Sequence, residues 1–264
     1  MLTKITKKDL LDYICICNKF LYLNTNNFFD LSVNSIKYYI GNREKLREFQ
    51  ILENIWYDSL IENEPDYSIY NNPNYLADLW ACWVVYSSKY LKLIKSKIDL
   101  FKDIDIINDL GCGFGYTTAS LKFLFPEAKV YGTNIENTHQ YNIAKYYSEK
   151  YNFEVIPSIF KTNKSNLIVA FEYFEHFERP IEHLLFIIKS NEPKYFIIAN
   201  SFNAKSIGHF NFYYFNNKKY TGKEISIIFN KTLRNYGYEV VKTGFWNNRP
   251  IIWEKTIDES LKLF

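Results

Sequence analysis

The stretch that decides the fold is "NDLGCGFGYTTASL", Asn108 to Leu121. Three of the chain's nine glycines fall within its five positions 111–115. They follow a short apolar run, "DIIND", and precede a segment with helical spacing. A tight turn needs one or two glycines; three alternating ones let a ligand approach the backbone closely and allow left-handed angles. The spacing G-x-G-x-G is not the G-x-G-x-x-G of a dinucleotide site, and the Gly-Lys-Ser/Thr of a phosphate loop is absent. The loop favours a nucleoside-type ligand that is not held chiefly by phosphates.

Downstream, short apolar runs alternate with helical ones. "AKVYGTNI", "FEVIP", "NLIVAFEYF" and "KYFIIANSF" read as strands; "YTTASLKFLF", "NTHQYNIAKYYSEKYN" and "RPIEHLLFIIKS" read as helices. Such alternation predicts right-handed βαβ units around a parallel sheet. After a further helix, "KEISIIFNKTLRNYGY", the segments "EVVKTGFW" and "RPIIWEKT" read as two strands joined through Asn247 and Asn248, as a tight hairpin. The expected fold is α/β: a Rossmann-like doubly wound sheet of seven strands, mostly parallel, with a C-terminal antiparallel hairpin. Upstream, residues 1–98 read as a helical extension or cap on a cofactor-binding domain, 99–264. "LLDYICICNKFLYL", "NREKLREFQILENIWYDSLI" and "LADLWACWVVYSSKYLKLIKS" supply its helices, and "ENEPDYSIYNNPNY" reads as a loop.

Composition narrows the function classes. The chain has 264 residues, enough for a sizeable core, with a formal net charge of +3 and scattered basic residues. No clustered basic stripe marks it as a duplex-DNA binder. The 23 Tyr and 22 Phe accompany plentiful Asn, Lys and Ile. All have AT-rich codons, so the aromatic excess is not read as a base-stacking platform. Cys15 and Cys17 are too close for an ordinary disulfide, and with Cys82 and Cys112 they read as free thiols of a reducing compartment. No apolar h-region or membrane-length span is present. A cytoplasmic location is expected; oligomeric state stays open, and no metal site is expected.

The quoted loop and the segments after it resemble class I S-adenosylmethionine-dependent methyltransferases. "INDLGCGFG" is similar to the family's first motif, and "NLIVAFEYFEHFERP" to its fourth strand with a Glu-His pair before a proline-led helix. The terminal strand pair is similar to the family's sixth and seventh strands. The resemblance covers about residues 100–256 and implies S-adenosylmethionine as cofactor. It implies cofactor contacts from Asp109, Gly111, Gly113 and Gly115, and from Phe171 and Glu172 after the fourth strand. The family's ribose-binding acid falls on Asn134, with Glu136 two residues on. Either fits the ribose, and Glu136 is favoured because an ionised carboxylate accepts both hydroxyl protons. Ser158 and Ile159 are candidates for the adenine edge.

Methyl transfer chiefly requires alignment, and an oxygen acceptor benefits from a general base, usually histidine. His176 and His209 lie after the fourth and fifth strands, at the carboxyl edge, and are the catalytic candidates. His139 and His183 lie within helices and read as surface or structural residues. Glu175, Tyr67, Tyr70 and Tyr213 are candidates for the acceptor wall. The expected reaction is O-methylation of a small molecule, such as a nucleotide-linked sugar of a surface-polysaccharide pathway. The alternatives are an RNA methyltransferase and a non-catalytic S-adenosylmethionine-binding protein. No Asn/Asp-Pro-Pro-aromatic motif follows the fourth strand and no cysteine follows Cys112, which disfavours DNA as substrate.

Overall fold

The computed structural model describes residues 47–62, 64–72, 75, 89–157, 164–244 and 249–256. The helix expected over 10–23, residues 76–88 of that expected over 76–96, Cys15, Cys17, Cys82, Ser158, Ile159 and the Asn247-Asn248 turn lie outside them.

Nine strands are described: β1 (Ile106–Leu110), β2 (Lys129–Thr133), β3 (Glu154–Ile156), β4 (Leu167–Phe171), β5 (Tyr195–Ala199), β6 (Tyr213–Phe215), β7 (Lys218–Tyr220), β8 (Tyr238–Val241) and β9 (Ile251–Lys255). Seven form one sheet in the order β3-β2-β1-β4-β5-β9-β8. β1 to β5 run parallel, and β9 is antiparallel to both β5 and β8. This is the expected doubly wound sheet with its antiparallel end. The helices are α1 (Arg47–Ile61), α2 (Tyr116–Leu124), α3 (His139–Tyr151), α4 (Pro180–Asn191) and α5 (Gly222–Asn235), and residues 89–96 are also helical.

Both faces of the sheet are covered, which is why β4 and β5 are buried and apolar along their length rather than alternating with polar residues. In β4, Leu167, Val169 and Phe171 enter one core with Ile107, Leu121, Ile143 and Leu93. Ile168 and Ala170 enter the other with Leu184, Ile225, Phe229 and Trp56. Each fully buried Leu, Ile or Phe contributes roughly 1.5–3 kcal/mol.

Local chemistry fixes the helix starts. Thr138 Oγ1 accepts the amide of Tyr141 at 3.2 Å, opening α3. Pro180 opens α4, where its missing N–H costs nothing. Thr221 and Glu224 form a reciprocal capping box on α5.

One element was not expected and one expectation changes. After β5, β6 and β7 form a separate two-stranded hairpin, with Phe215 opposite Lys218. Asn216 and Asn217 between them have φ of 49° and 59°, the left-handed pair that a two-residue hairpin turn requires. β8 and β9, by contrast, are not joined by a two-residue turn. β8 ends at Val241 and β9 starts at Ile251, so a longer connection separates them.

Candidate active site

Strand order reverses between β1 and β4, whose crossover helices therefore lie on opposite faces and leave a crevice at the carboxyl ends. A cavity of about 470 Å³ opens there. Gly111, Gly113, Thr133, Asn134, Ile135, Gln140, Pro157 and Glu172 line one part of it. Tyr67, Tyr70, Tyr75, Tyr173, His176, Phe177, Glu178 and His183 line the rest.

The glycine loop is held in shape by β2. The amide of Gly111 donates to Thr133 Oγ1 at 3.0 Å, and that of Cys112 to the Thr133 carbonyl at 2.9 Å. Asn134 Nδ2 donates to the Gly113 carbonyl at 2.6 Å. Gly111 has φ +64°, and a Cβ there would lie 2.6 Å from Tyr173 Cδ2, so only glycine fits. Gly115 does not line the cavity; it caps α2.

Asp109 is completely buried at the end of β1 and does not line the cavity. Its Oδ2 accepts from Thr118 Oγ1 at 2.6 Å, while Oδ1 has no hydrogen-bond partner among the described residues. Burial pushes its carboxyl up to about 7. The two ribose candidates separate. Asn134 lines the cavity with Ile135, but Glu136 is exposed and does not.

Glu172 leaves β4 with φ 49° and reaches the cavity. Its carboxylate accepts from Ser201 Oγ at 2.8 Å and Tyr90 Oη at 3.2 Å, and pairs with Arg249. Phe171 is buried edge-on against Tyr90 instead of lining the site. Glu175 also lies inside the protein, where its Oε1 accepts the Ser201 amide at 2.7 Å. Burial, with Glu172 adjacent, holds its carboxyl well above the usual range. Tyr213 is buried as well, its hydroxyl donating to the carbonyls of Glu175 and Phe202 at 3.4 Å. Glu175 and Tyr213 brace the wall from behind, Tyr213 from the start of the β6–β7 hairpin.

Two tyrosine–histidine pairs line the cavity. Tyr70 Oη lies 3.1 Å from His176 Nδ1. Tyr173 Oη lies 3.0 Å from His183 Nε2. Burial raises the hydroxyl pKa of Tyr70 and Tyr173, which keeps both protonated. Burial lowers His183 to about 4, so it is neutral at ordinary pH. His209 stands behind His176, ring edge to face at 4.9 Å, and does not line the cavity. Its Nδ1 lies 2.8 Å from the Ala204 carbonyl, which can only accept, so that nitrogen carries the proton. The His209 carbonyl accepts from Trp56 Nε1 at 2.6 Å, tying α1 to this loop.

His183, Tyr173, Phe177 and Thr133 were not expected here from sequence. His183 sits in the first turn of α4, where a helix that starts beside the carboxyl edge still faces the crevice. Its distance of three residues from Pro180 was the available signal.

No family model matches the chain, and no curated protein sequence matches it. Among solved structures it is similar to the small RNA methyltransferase HEN1, at 16% identity over 66% of this chain, with a TM-score of 0.44. It spans only 25% of that protein's length. It is also similar to the magnesium protoporphyrin IX methyltransferase of Synechocystis PCC 6803 with bound SAH: 17% identity, 65% of this chain and 83% of the other, TM-score 0.46. An O-methyltransferase family protein of Burkholderia thailandensis gives 11%, 92% and 71%, with a TM-score of 0.48. At such identities the likeness concerns the fold.

Proposed function

We propose that this chain is an S-adenosylmethionine-dependent methyltransferase acting on an oxygen of a small molecule. The observation that carries this is one cavity with a glycine-loop part and a tyrosine–histidine part, at the strand-order reversal of a doubly wound sheet. The residues fit the cofactor. The backbone at Gly111 leaves no room for a side chain. Glu172 and Asn134 lie at the strand ends. Asp109, expected to meet the cofactor's ammonium group, instead lies buried behind the cavity lining and braces the start of α2 through Thr118 Oγ1. When bound, S-adenosylmethionine supplies a methyl group on a sulfonium centre. Gly111, Gly113 and Asn134 hold the nucleoside end, and Glu172 closes the wall.

His176 is the general base of this reading. With Nδ1–H donating to the Tyr70 oxygen, Nε2 carries the lone pair that takes the acceptor's proton. His209 positions His176 from behind. The division into a cap, 1–98, and a cofactor domain, 99–264, is kept as part of this reading; of the described cap residues, Trp56 and Tyr57 of α1 bond to the carbonyls of His209 and Ser206. The nucleotide-linked sugar expected from sequence finds little support, since Glu178 lines the cavity and repels a diphosphate.

Titration calorimetry with S-adenosylhomocysteine tests the reading. Micromolar binding, weakened at least tenfold in Gly111→Ala, is expected. A folded protein that does not bind it overturns the proposal.

A further inference from the structure

The acceptor part of the cavity is built from flat faces whose planes are already set. Tyr67 and Tyr70 lie nearly parallel, 14° apart with ring centroids at 6.3 Å. Phe177 and His183 stack at 4.2 Å and 16°. Tyr75 stands edge-on against Tyr70 at 5.3 Å, and Tyr173 against Phe177 at 4.9 Å. All of these line the one cavity. Tyr67 is 53% exposed at its mouth, although Trp56 and Tyr70 hold its ring in place. A planar aromatic molecule meets such faces in offset or edge geometry without reorganising them. A polyol would turn several hydroxyls toward carbon and lose their hydration.

Charge points the same way. Glu178 lines the mouth beside Tyr67, close enough to help raise the Tyr67 hydroxyl's pKa after the larger effect of burial. Glu172 is charge-compensated by Arg249 and lies on the cofactor part, so Glu178 is the carboxylate that makes the acceptor part unfavourable for a phosphate or carboxylate substituent.

Acidity decides which hydroxyl a histidine can serve. A phenol ionises near 10, about three to four powers of ten from an imidazole near 6.5. An aliphatic alcohol is a far weaker acid, close to water itself. Proton transfer to His176 is therefore far better matched for a phenol.

We infer, on the methyltransferase reading above, that the acceptor is an uncharged planar phenol, its ring on Tyr67 and Phe177 and its hydroxyl toward His176. The phenolic oxygen bonds to the methyl carbon as the carbon–sulfur bond breaks. That bond's electron pair stays on sulfur, and the phenolic proton passes to His176 Nε2.

The test titrates the protein first with S-adenosylhomocysteine alone. The saturated complex is then titrated with 2-naphthol and, separately, with UDP-glucose. Failure of the first titration removes the methyltransferase reading itself. With it satisfied, 2-naphthol is expected to bind and UDP-glucose not to. Tyr67→Ala is expected to weaken 2-naphthol roughly tenfold, Tyr67→Phe to retain it, and both to keep S-adenosylhomocysteine affinity within about twofold. Binding of UDP-glucose in preference to 2-naphthol, binding of neither, or 2-naphthol affinity indifferent to Tyr67→Ala would overturn the inference.

Discussion

Asn134 Nδ2 donates to the Gly113 carbonyl at 2.6 Å while its Oδ1 accepts the Ile135 amide at 2.9 Å. One amide thus fastens the end of β2 to the glycine loop across 21 positions of sequence. Asn134→Ala removes the donor and leaves a buried carbonyl short of a partner, a loss of about 1–3 kcal/mol. S-Adenosylhomocysteine affinity should fall about tenfold or more. Glu136→Ala, on the exposed turn outside the cavity, should leave it within about twofold. Calorimetry on both variants decides which residue serves the cofactor.

Gly208 holds the acceptor side in the same way that Gly111 holds the cofactor side. Its φ is +81°, and a Cβ there would lie 2.5 Å from His176 Nδ1 and 2.8 Å from Tyr70 Oη. Gly208→Ala should separate that pair. Turnover is expected to drop by a hundredfold or so, within the usual span of general-base effects. Affinity for S-adenosylhomocysteine should persist. Equal losses in both would show a general collapse of the site instead.

Asp109 makes stability fall as pH rises. Its folded value of about 7 exceeds the ordinary 3.8, so the folded state binds the proton more tightly. The contribution is complete below 3.8, declines through the window up to about 7, and is flat above it. The full difference is on the order of 4 kcal/mol. Asp109→Asn should remove that decline. Urea midpoints of wild type and variant, compared at pH 4, 5.5, 7 and 8, should draw together as pH falls. A constant difference would contradict the assignment.

His183 acts with the opposite sign. Its folded value of about 4 lies below the ordinary 6.5, so the unfolded chain binds the proton more readily. Stability from this residue is present above 6.5 and is lost as pH falls toward 4, by roughly 3 kcal/mol. His183→Gln should flatten that acid limb in the same urea series. An unchanged limb would mean that the imidazole is more hydrated than its place beside Tyr173 and Phe177 implies.

Arg249 and Glu172 are partners far apart in sequence, with side chains 40% and 31% exposed. Partial exposure screens the pair, so Arg249→Met should cost about 1–2 kcal/mol. Glu172→Gln should then cost less in the Arg249→Met background than in wild type. A thermal double-mutant cycle measures this coupling; additive losses would show that the two act independently.

The scaffold of the site could be read from short-range pattern. The apolar run before Gly111, the proline that opens α4 and the alternating segments all report on nearest neighbours, and they placed β1, β4 and the glycine loop. The β6–β7 hairpin was carried by the Asn216-Asn217 dipeptide, yet turn weight went to Asn247-Asn248 instead. Composition had made asparagine commonplace and blunted the signal. Side-chain direction was harder. Glu175 and Tyr213 sit at the right edge of the sheet but point into the protein. His183 lies in a helix that reads as an outer layer and still reaches the cavity. Such orientations depend on contacts such as Tyr173 with Gly111 or Arg249 with Glu172, which no local window contains.

β8 hydrogen-bonds to the sheet only through β9, and β9 is inserted between β5 and β8. Synthesis runs the other way: β8 leaves the ribosome before the strand that will attach it. Until residues 251–255 emerge, β5 shows an open edge and β8 has no neighbour in the sheet. Both are then templates for pairing with another chain. A stop codon just before Ile251 would therefore remove five strand residues from the sequence but two strands from the sheet. The nascent protein would remain in its most aggregation-prone form.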